Sequence, residues 1–229
     1  MENQIIVLGT YGESWDKQHS ACMWELQQAY GIIVLETVGH HHIDITRSLL
    51  ATAAMDQGAD VAFFIDHDII FEPSDVLILS AIAREKQGIV AAPYSMRKMG
   101  AGMVGHIDPV EHEEVKFFDE GALYPSNGAI GMGFTAIHRS VLEKLAAQPG
   151  MERRRSLNGE CVPFFEKTVR DGYWFPEDES FCARARAVGV PCFVDTRIRV
   201  LHRGLHGYGI EDAGASRAIQ PKTLSMRLR

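Results

Sequence analysis

Asp60-Val61-Ala62-Phe63-Phe64-Ile65-Asp66-His67-Asp68-Ile69-Ile70-Phe71-Glu72-Pro73 is the stretch on which the reading of the fold turns. Val61 to Ile65 is a continuous apolar run rich in β-branched and aromatic residues, the pattern of a strand buried on both faces. The run stops at two carboxylates, Asp66 and Asp68. In an open α/β sheet, ligands bind beyond the carboxyl ends of the strands, where these acids fall. Alternate residues of an extended segment point the same way, so Asp66 and Asp68 are expected to face one ligand with His67 turned aside. Two hard oxygen donors there suit a divalent cation that carries phosphates. A polar turn after a core strand is the competing explanation of the same residues.

Upstream, Gln4 to Leu8 reads as a strand that ends at Gly9-Thr10-Tyr11-Gly12, a loop placed to hold a nucleotide base or ribose. It is no phosphate loop, since Gly-x-x-x-x-Gly-Lys-Ser/Thr is absent. Asp16 to Tyr30 reads as a helix closed by Gly31, and Ile32 to Val38 as a second buried strand. His40, His41 and His42 are consecutive, which does not suit a zinc site: strand neighbours face opposite ways and a helical pair needs a spacing of three or four. They lead into a helix over Thr46–Gln57, where Arg47 can reach a phosphate or a base, or remain solvated.

Downstream, Pro73 and Asp75 open a helix that runs to about Gln87 and stops at Gly88. Ile89 to Ala92 is a fourth buried strand. Alternating strands and helices predict an α/β fold with a mostly parallel central sheet flanked by helices. Pro93 to Pro109, with Tyr94, Ser95, Arg97 and Lys98 followed by glycines, reads as a mobile loop at the active face. Val115–Phe118 and Tyr124 are expected in a smaller, mixed part of the sheet. The glycines from Asn127 to Gly133 lack a dinucleotide-binding context, and Gly131 and Gly133 are expected to let backbone approach a ligand. Arg139 to Ala147 is a helix, and residues 148–160 an exposed loop. Glu177, Asp178 and Glu179 open a further helix whose apolar stripe is Phe181, Cys182, Ala185 and Val188. Negative charge is favourable there, so simple capping explains these acids as well as chemistry does. Strands over Pro191–Asp195 and Ile198–Leu201 precede His202.

Composition agrees with a folded chain. Of 229 residues, 46% are hydrophobic, which is enough for a full core. The net charge of −7 argues against a dedicated nucleic-acid binder. Arg217, Lys222, Arg227 and Arg229 make residues 213–229 basic. Cys22, Cys161, Cys182 and Cys192 form no Cys-x-x-Cys pair and read as reduced core thiols of a cytoplasmic protein. No run has the signature of a signal peptide or of a membrane span.

The strand ending Asp66-His67-Asp68, the glycine-rich strand Gly131-x-Gly133-Phe134 leading to Arg139-Ser140-Val141, the helix start Glu177-Asp178-x-x-Phe181-Cys182, and the strand ending at His202 occur in one order. In this the chain resembles the GT-A nucleotide-sugar glycosyltransferases, and is similar to family 2 and its compact bacterial and phage members, over roughly residues 3–204. The resemblance implies a GT-A domain over 1–204, followed by a flexible flap and basic tail over 205–229. It implies Mn²⁺ or Mg²⁺ held by Asp68 and His202, with Asp66 on the ribose or on the metal through water. Thr10 and Tyr11 match its base-binding loop, and Asp178 the catalytic base of inverting members. The chain departs from the common pattern in having His67 between the two aspartates and three acids at 177–179, which leaves the identity of the base open. The implied reaction moves a sugar from a UDP- or GDP-type donor to a glycan, lipid-linked, protein or modified-DNA acceptor. The ion would act as a Lewis acid, and Asp178, kept ionised by the helix dipole, would take the acceptor's proton. Closure of the flap would exclude water. A nucleotidyltransferase that makes sugar nucleotides is disfavoured by the lack of a basic residue in Gly9–Glu13, and a non-catalytic binding module by a base accompanying a metal pair.

Overall fold

The computed structural model describes residues 4–11, 16–38, 42–97, 100, 102–108, 114–204 and 207–213, without the side chains of residues 11, 37, 38 and 213. The first half alternates as expected: β1 (Ile5–Tyr11), α1 (Lys17–Tyr30), β2 (Ile33–Val38), α2 (Ile43–Asp56), β3 (Val61–Asp66), a short β4 (Ile69–Ile70), α3 (Pro73–Lys86) and β5 (Ile89–Ala91). Then come β6 (Tyr94–Ser95), β7 (Met103–Val104), β8 (Leu123–Pro125), β9 (Phe134–His138) and α4 (Arg139–Ala146). Two hairpins follow, β10 (Arg154–Ser156) with β11 (Gly159–Cys161) and β12 (Thr168–Arg170) with β13 (Tyr173–Phe175). The chain continues through α5 (Glu177–Ala187), β14 (Cys192–Asp195), β15 (Leu201–Arg203) and β16 (Gly207–Tyr208).

Seven strands form the central sheet in the order β2-β1-β3-β9-β5-β14-β8. β9 runs antiparallel between β3 and β5, and β8 antiparallel to β14; the other pairings are parallel. The sheet is therefore mixed and mostly parallel. The expected strand Ile32–Val38 forms, but as the edge of the sheet and half-exposed rather than buried, because only β1 flanks it. The expected strands over Val115–Phe118 and Ile198–Leu201 do not form as such: the first region holds a short 3₁₀ turn over Phe118–Glu120, and pairing in the second begins at Leu201. Residues 148–160 are not simply a loop, since they contribute the β10–β11 hairpin.

β3 explains the layering. Val61, Phe63 and Ile65 pack beneath Met23 and Leu26 of α1 and Val76, Leu79 and Ala83 of α3. Ala62 and Phe64 face the opposite layer, with Leu50 and Ala51 of α2, Val141 and Leu145 of α4, and Phe181 and Ala185 of α5. Phe63 meets Phe134 edge-on with ring centroids 4.9 Å apart, and Phe165 stacks on Phe181 at 4.4 Å. Each such buried side chain contributes about 1.5–3 kcal/mol. The helix ends obey local chemistry. Asp16 caps α1 by accepting from the backbone N–H of Gln18 and His19, and Gly31 closes it at φ 62°. Pro73 opens α3. The four cysteines are all free thiols.

Part of the expected flap is packed against the body. β16 pairs with β15, Tyr208 and Ile210 are buried, and Gly100 donates to the carbonyl of Asp212. Residues 205, 206 and 214–229, which include the basic tail, lie outside the described residues, as do His40 and His41.

Candidate active site

The carboxyl ends of β1 and β3 and the start of α5 meet through one buried arginine. Arg47, in the second turn of α2, has a side chain only 6% exposed. Its Nη2 donates to both carboxylate oxygens of Asp66 at 2.9 Å, and its Nη1 to Oε1 of Glu177 at 2.7 Å. Burial acts to lower the basicity of Arg47, but the charges of Asp66 and Glu177 outweigh it and hold the guanidinium firmly protonated. Thr10, at the end of β1, donates from its hydroxyl to Asp66 Oδ1 at 2.7 Å. Tyr11 ends β1, and its side chain lies outside the described residues.

Asp66 and Asp68 do not share a partner set. The chain turns at His67–Asp68, so the alternation of the strand ends at Asp66 and the two carboxylates meet different neighbours. His67 is turned back to the carbonyl of Thr10, which its ring Nδ1 approaches at 3.1 Å. Asp68 instead meets the second sheet. β15 pairs antiparallel with β4, which sets His202 opposite Ile69, and the N–H of Arg203 donates to the Asp68 carbonyl at 2.6 Å. His202 Nε2 lies 3.4 Å from Asp68 Oδ2, and Arg97 Nη1 lies 2.9 Å from the same oxygen. Burial pushes the Asp68 carboxyl up, but His202, then Arg97, prevail and leave it below its ordinary value.

The ring of His202 is fixed from behind. Its Nδ1 is 2.9 Å from the carbonyl of Ser95, which can only accept, so Nδ1 carries the proton. Nε2 is the nitrogen left facing the carboxylate of Asp68: protonated, it donates to it and keeps it ionised; unprotonated, it presents a lone pair. Two acceptors facing each other fit a shared cation, and a histidine whose other nitrogen donates to a backbone carbonyl is the usual form of a metal ligand. Both oxygens of Asp66 accept from Arg47. Among the described residues no group of three His, Cys, Asp or Glu side chains is placed to hold a metal. Asp68 and His202 fit a divalent ion as two of its ligands, the others having to come from outside these side chains.

Tyr94 joins the two halves of the site. It is buried, its hydroxyl accepts from the N–H of Gly133 at 3.2 Å, and its ring meets that of His202 edge-on at 5.1 Å. Burial, aided by the charge of Asp66, pushes its phenol well above the ordinary range. Both glycines lie against this ring. A Cβ on Gly131 would stand 2.5 Å from Tyr94 Oη, and one on Gly133 2.7 Å, so both make room for tyrosine. Gly133 also borders the carboxylates, since its carbonyl accepts from the N–H of Asp66.

Asp178 lies in the first turn of α5, whose N-cap is Pro176. Its Oδ1 accepts from the N–H of Glu179 at 2.8 Å. The expectation that the helix dipole lowers its pKa is reversed. Burial raises the carboxyl above its ordinary value, against the Glu179 N–H and the charge of Arg47. Glu177 is raised as well, chiefly by burial. The cavity of about 480 Å³ beside the β10–β11 hairpin is lined by His42, Ile45, Thr46 and Arg155, among others, and by none of Asp66, Asp68, Asp178 or His202.

Tyr94 and Ser95 were expected in a mobile loop at the active face but form a strand paired with β7, and the tie between Arg47 and Glu177 was not legible. Ser95 and His202 are 107 positions apart, and Arg47 and Glu177 130 apart. The Pro93 that ends β5 and sends Tyr94 and Ser95 back across the sheet ends is the one local signal.

Comparison with known proteins supports the fold. No protein-family model matches the sequence, and no curated protein sequence matches it. Among solved structures, A197 from STIV superposes with a TM-score of 0.58 at 16% identity, covering 88% of this chain and 86% of that one. GalNAc-T7, crystallised with UDP, GalNAc and Mn²⁺, superposes with a TM-score of 0.50 at 13% identity over 94% of this chain. The chain spans 46% of the GalNAc-T7 chain. The architecture is thus GT-A-like: a mostly parallel central sheet with helices on both faces, accompanied by smaller sheets. Among the described residues, no helix is long and apolar enough to cross a membrane.

Proposed function

We propose that this chain is a metal-assisted glycosyltransferase, related to family 2, that moves a sugar from a nucleoside-diphosphate donor to an acceptor hydroxyl with inversion. The observation that carries the reading is the convergence of two carboxylate centres and a raised carboxyl at one end of a GT-A-like sheet. Asp66 is held by Arg47 and Thr10, Asp68 faces His202, and Asp178 opens α5 beside them.

In this reading each group has a distinct task. Thr10 and Tyr11, with Gly133 alongside, border the nucleoside, and Arg47 orients Asp66 towards the ribose. Asp68 and His202 hold Mn²⁺ or Mg²⁺; that ion, when bound, supplies Lewis-acid stabilisation to the departing diphosphate. Asp178 takes the proton of the attacking hydroxyl. Burial suits it for this, because a carboxyl raised towards neutrality is a stronger base than an ordinary aspartate. Glu177 is committed to Arg47 and so orients the start of α5 instead. The net charge of −7 favours a glycan, lipid-linked or protein acceptor over DNA.

Thermal shift with UDP and GDP, each in Mn²⁺ and in EDTA, tests the reading before any acceptor is known. Stabilisation by a nucleoside diphosphate that depends on Mn²⁺ is expected, followed by release of that diphosphate from one member of a donor-sugar panel. Equal shifts in Mn²⁺ and EDTA would remove the metal from the reading, and no shift with either nucleotide would overturn it.

A further inference from the structure

We propose that Arg97 is the resident counter-cation of Asp68, displaced when the divalent ion arrives and then turned onto the donor's diphosphate. The inference rests on the metal-assisted reading above and adds a residue to it.

Three observations support it. First, the Asp68 side chain is only 11% exposed, and a carboxylate so far from water needs a partner. Arg97 supplies it through the same Oδ2 that His202 faces, so guanidinium and ion compete for one oxygen. Second, the competitor is built to leave. The Arg97 side chain is 54% exposed, whereas Arg47, which holds Asp66, is 6% exposed. A pair so open to water is weak and readily exchanged. Third, Arg97 belongs to the segment that orients the metal-facing histidine. Ser95 accepts from His202, Tyr94 touches its ring, and Arg97 follows two residues later. Its stem runs past Gly204, where a Cβ would stand 3.4 Å from Arg97 Cβ. A released Arg97 remains tethered beside Asp68, where a diphosphate bound to the ion would lie. Its planar fork suits phosphate oxygens.

A purely structural ion pair and a displaceable one predict different behaviour for Arg97→Ala. Free Mn²⁺ measured by electron paramagnetic resonance gives the metal affinity without nucleotide. Calorimetry with UDP and with GDP at saturating Mn²⁺ gives the nucleotide affinity. The expected result is a pair of opposite shifts: Mn²⁺ bound about twofold to fivefold more tightly, and nucleotide about tenfold more weakly. Arg97→Lys, which keeps the charge, should bind Mn²⁺ nearly as the native chain does. Unchanged or weaker Mn²⁺ binding in Arg97→Ala overturns the counter-cation role and leaves the metal reading intact. Tighter Mn²⁺ with unchanged nucleotide affinity overturns the turn onto the diphosphate. Absence of Mn²⁺ binding in both proteins, with and without nucleotide, overturns the metal reading and this inference together.

Discussion

Arg47 grips Asp66 through a single nitrogen, with Nη2 2.9 Å from both carboxylate oxygens, and its Nη1 remains free to reach Glu177 across the site. One side chain from α2 thus ties the end of β3 to the start of α5. The pair is buried on the arginine side, so its removal strands two carboxylates that have little water to turn to. Arg47→Ala should lower the unfolding free energy by roughly 3 kcal/mol, the usual cost of breaking a buried pair by deleting one partner. Urea denaturation followed by far-ultraviolet circular dichroism measures this; a loss under about 1 kcal/mol would mean that solvent already satisfies both acids.

The glycines of β9 make a second claim that a pair of substitutions can test. Gly133→Ala places a Cβ 2.7 Å from Tyr94 Oη and 2.9 Å from its Cζ. Overpacking of this kind costs about 1–3 kcal/mol. Tyr94→Phe deletes the oxygen that causes the nearer clash, so the double variant should recover about 1 kcal/mol relative to additivity. A double-mutant cycle on unfolding free energies gives the coupling directly. Zero coupling would show that the crowding comes from the backbone and not from the hydroxyl.

Much of this architecture could be read from residue pattern, and the exceptions share a physical cause. Val61 to Ile65, Ile89 to Ala91 and the caps Asp16, Gly31 and Pro73 follow from local rules of burial and chain geometry. The direction of β9 did not, because an apolar run such as Phe134–Ile137 reads the same whichever way it threads between β3 and β5. The turn that gives Asp66 and Asp68 different neighbours escapes notice for a related reason: two residues leave no mark in a period of two. The Arg47–Glu177 tie, the seat of Tyr94 between Gly131 and Gly133, and the Ser95–His202 bond join distant segments, and no spacing rule reports them.

Asp75 offers a pH test independent of catalysis. Burial, then the nearby charges of Glu72 and Asp195, push its carboxyl from 3.8 up to about 6. In the window between those values the native chain holds a proton that the unfolded chain has released. The contribution of Asp75 to stability is therefore present below the lower value and is lost as pH rises through the upper one. Asp75→Asn cannot ionise, so it should raise stability at about pH 7 by about 1 kcal/mol, allowing for partial exposure, and leave it nearly unchanged at about pH 4. Urea midpoints at the two pH values decide it. An equal change at both would assign the effect to helix-start electrostatics that do not titrate there.

The final prediction separates Asp178 from Glu177. Both stand in the first turn of α5 and both are raised by burial, yet their partners differ. Glu177 is bound to Arg47, whereas Asp178 accepts from the Glu179 N–H through Oδ1. Asparagine retains an oxygen that can accept from Glu179, so Asp178→Asn removes the base while sparing the turn. It should bind nucleoside diphosphate and Mn²⁺ nearly as the native chain does, and turn over at least about 100-fold more slowly. Glu177→Gln should show the opposite balance, with a lowered melting temperature from the weakened Arg47 contact and a smaller loss of turnover. In the native chain the acid limb of kcat/KM against pH should lie above the ordinary aspartate value of about 4, since the proton must leave a carboxyl that burial has raised. Transfer rates for the three proteins, measured with the acceptor that supports turnover, give the answer. Near-native turnover in Asp178→Asn would move the base to Glu177 or Glu179, or replace inversion by a retaining route that needs no such base.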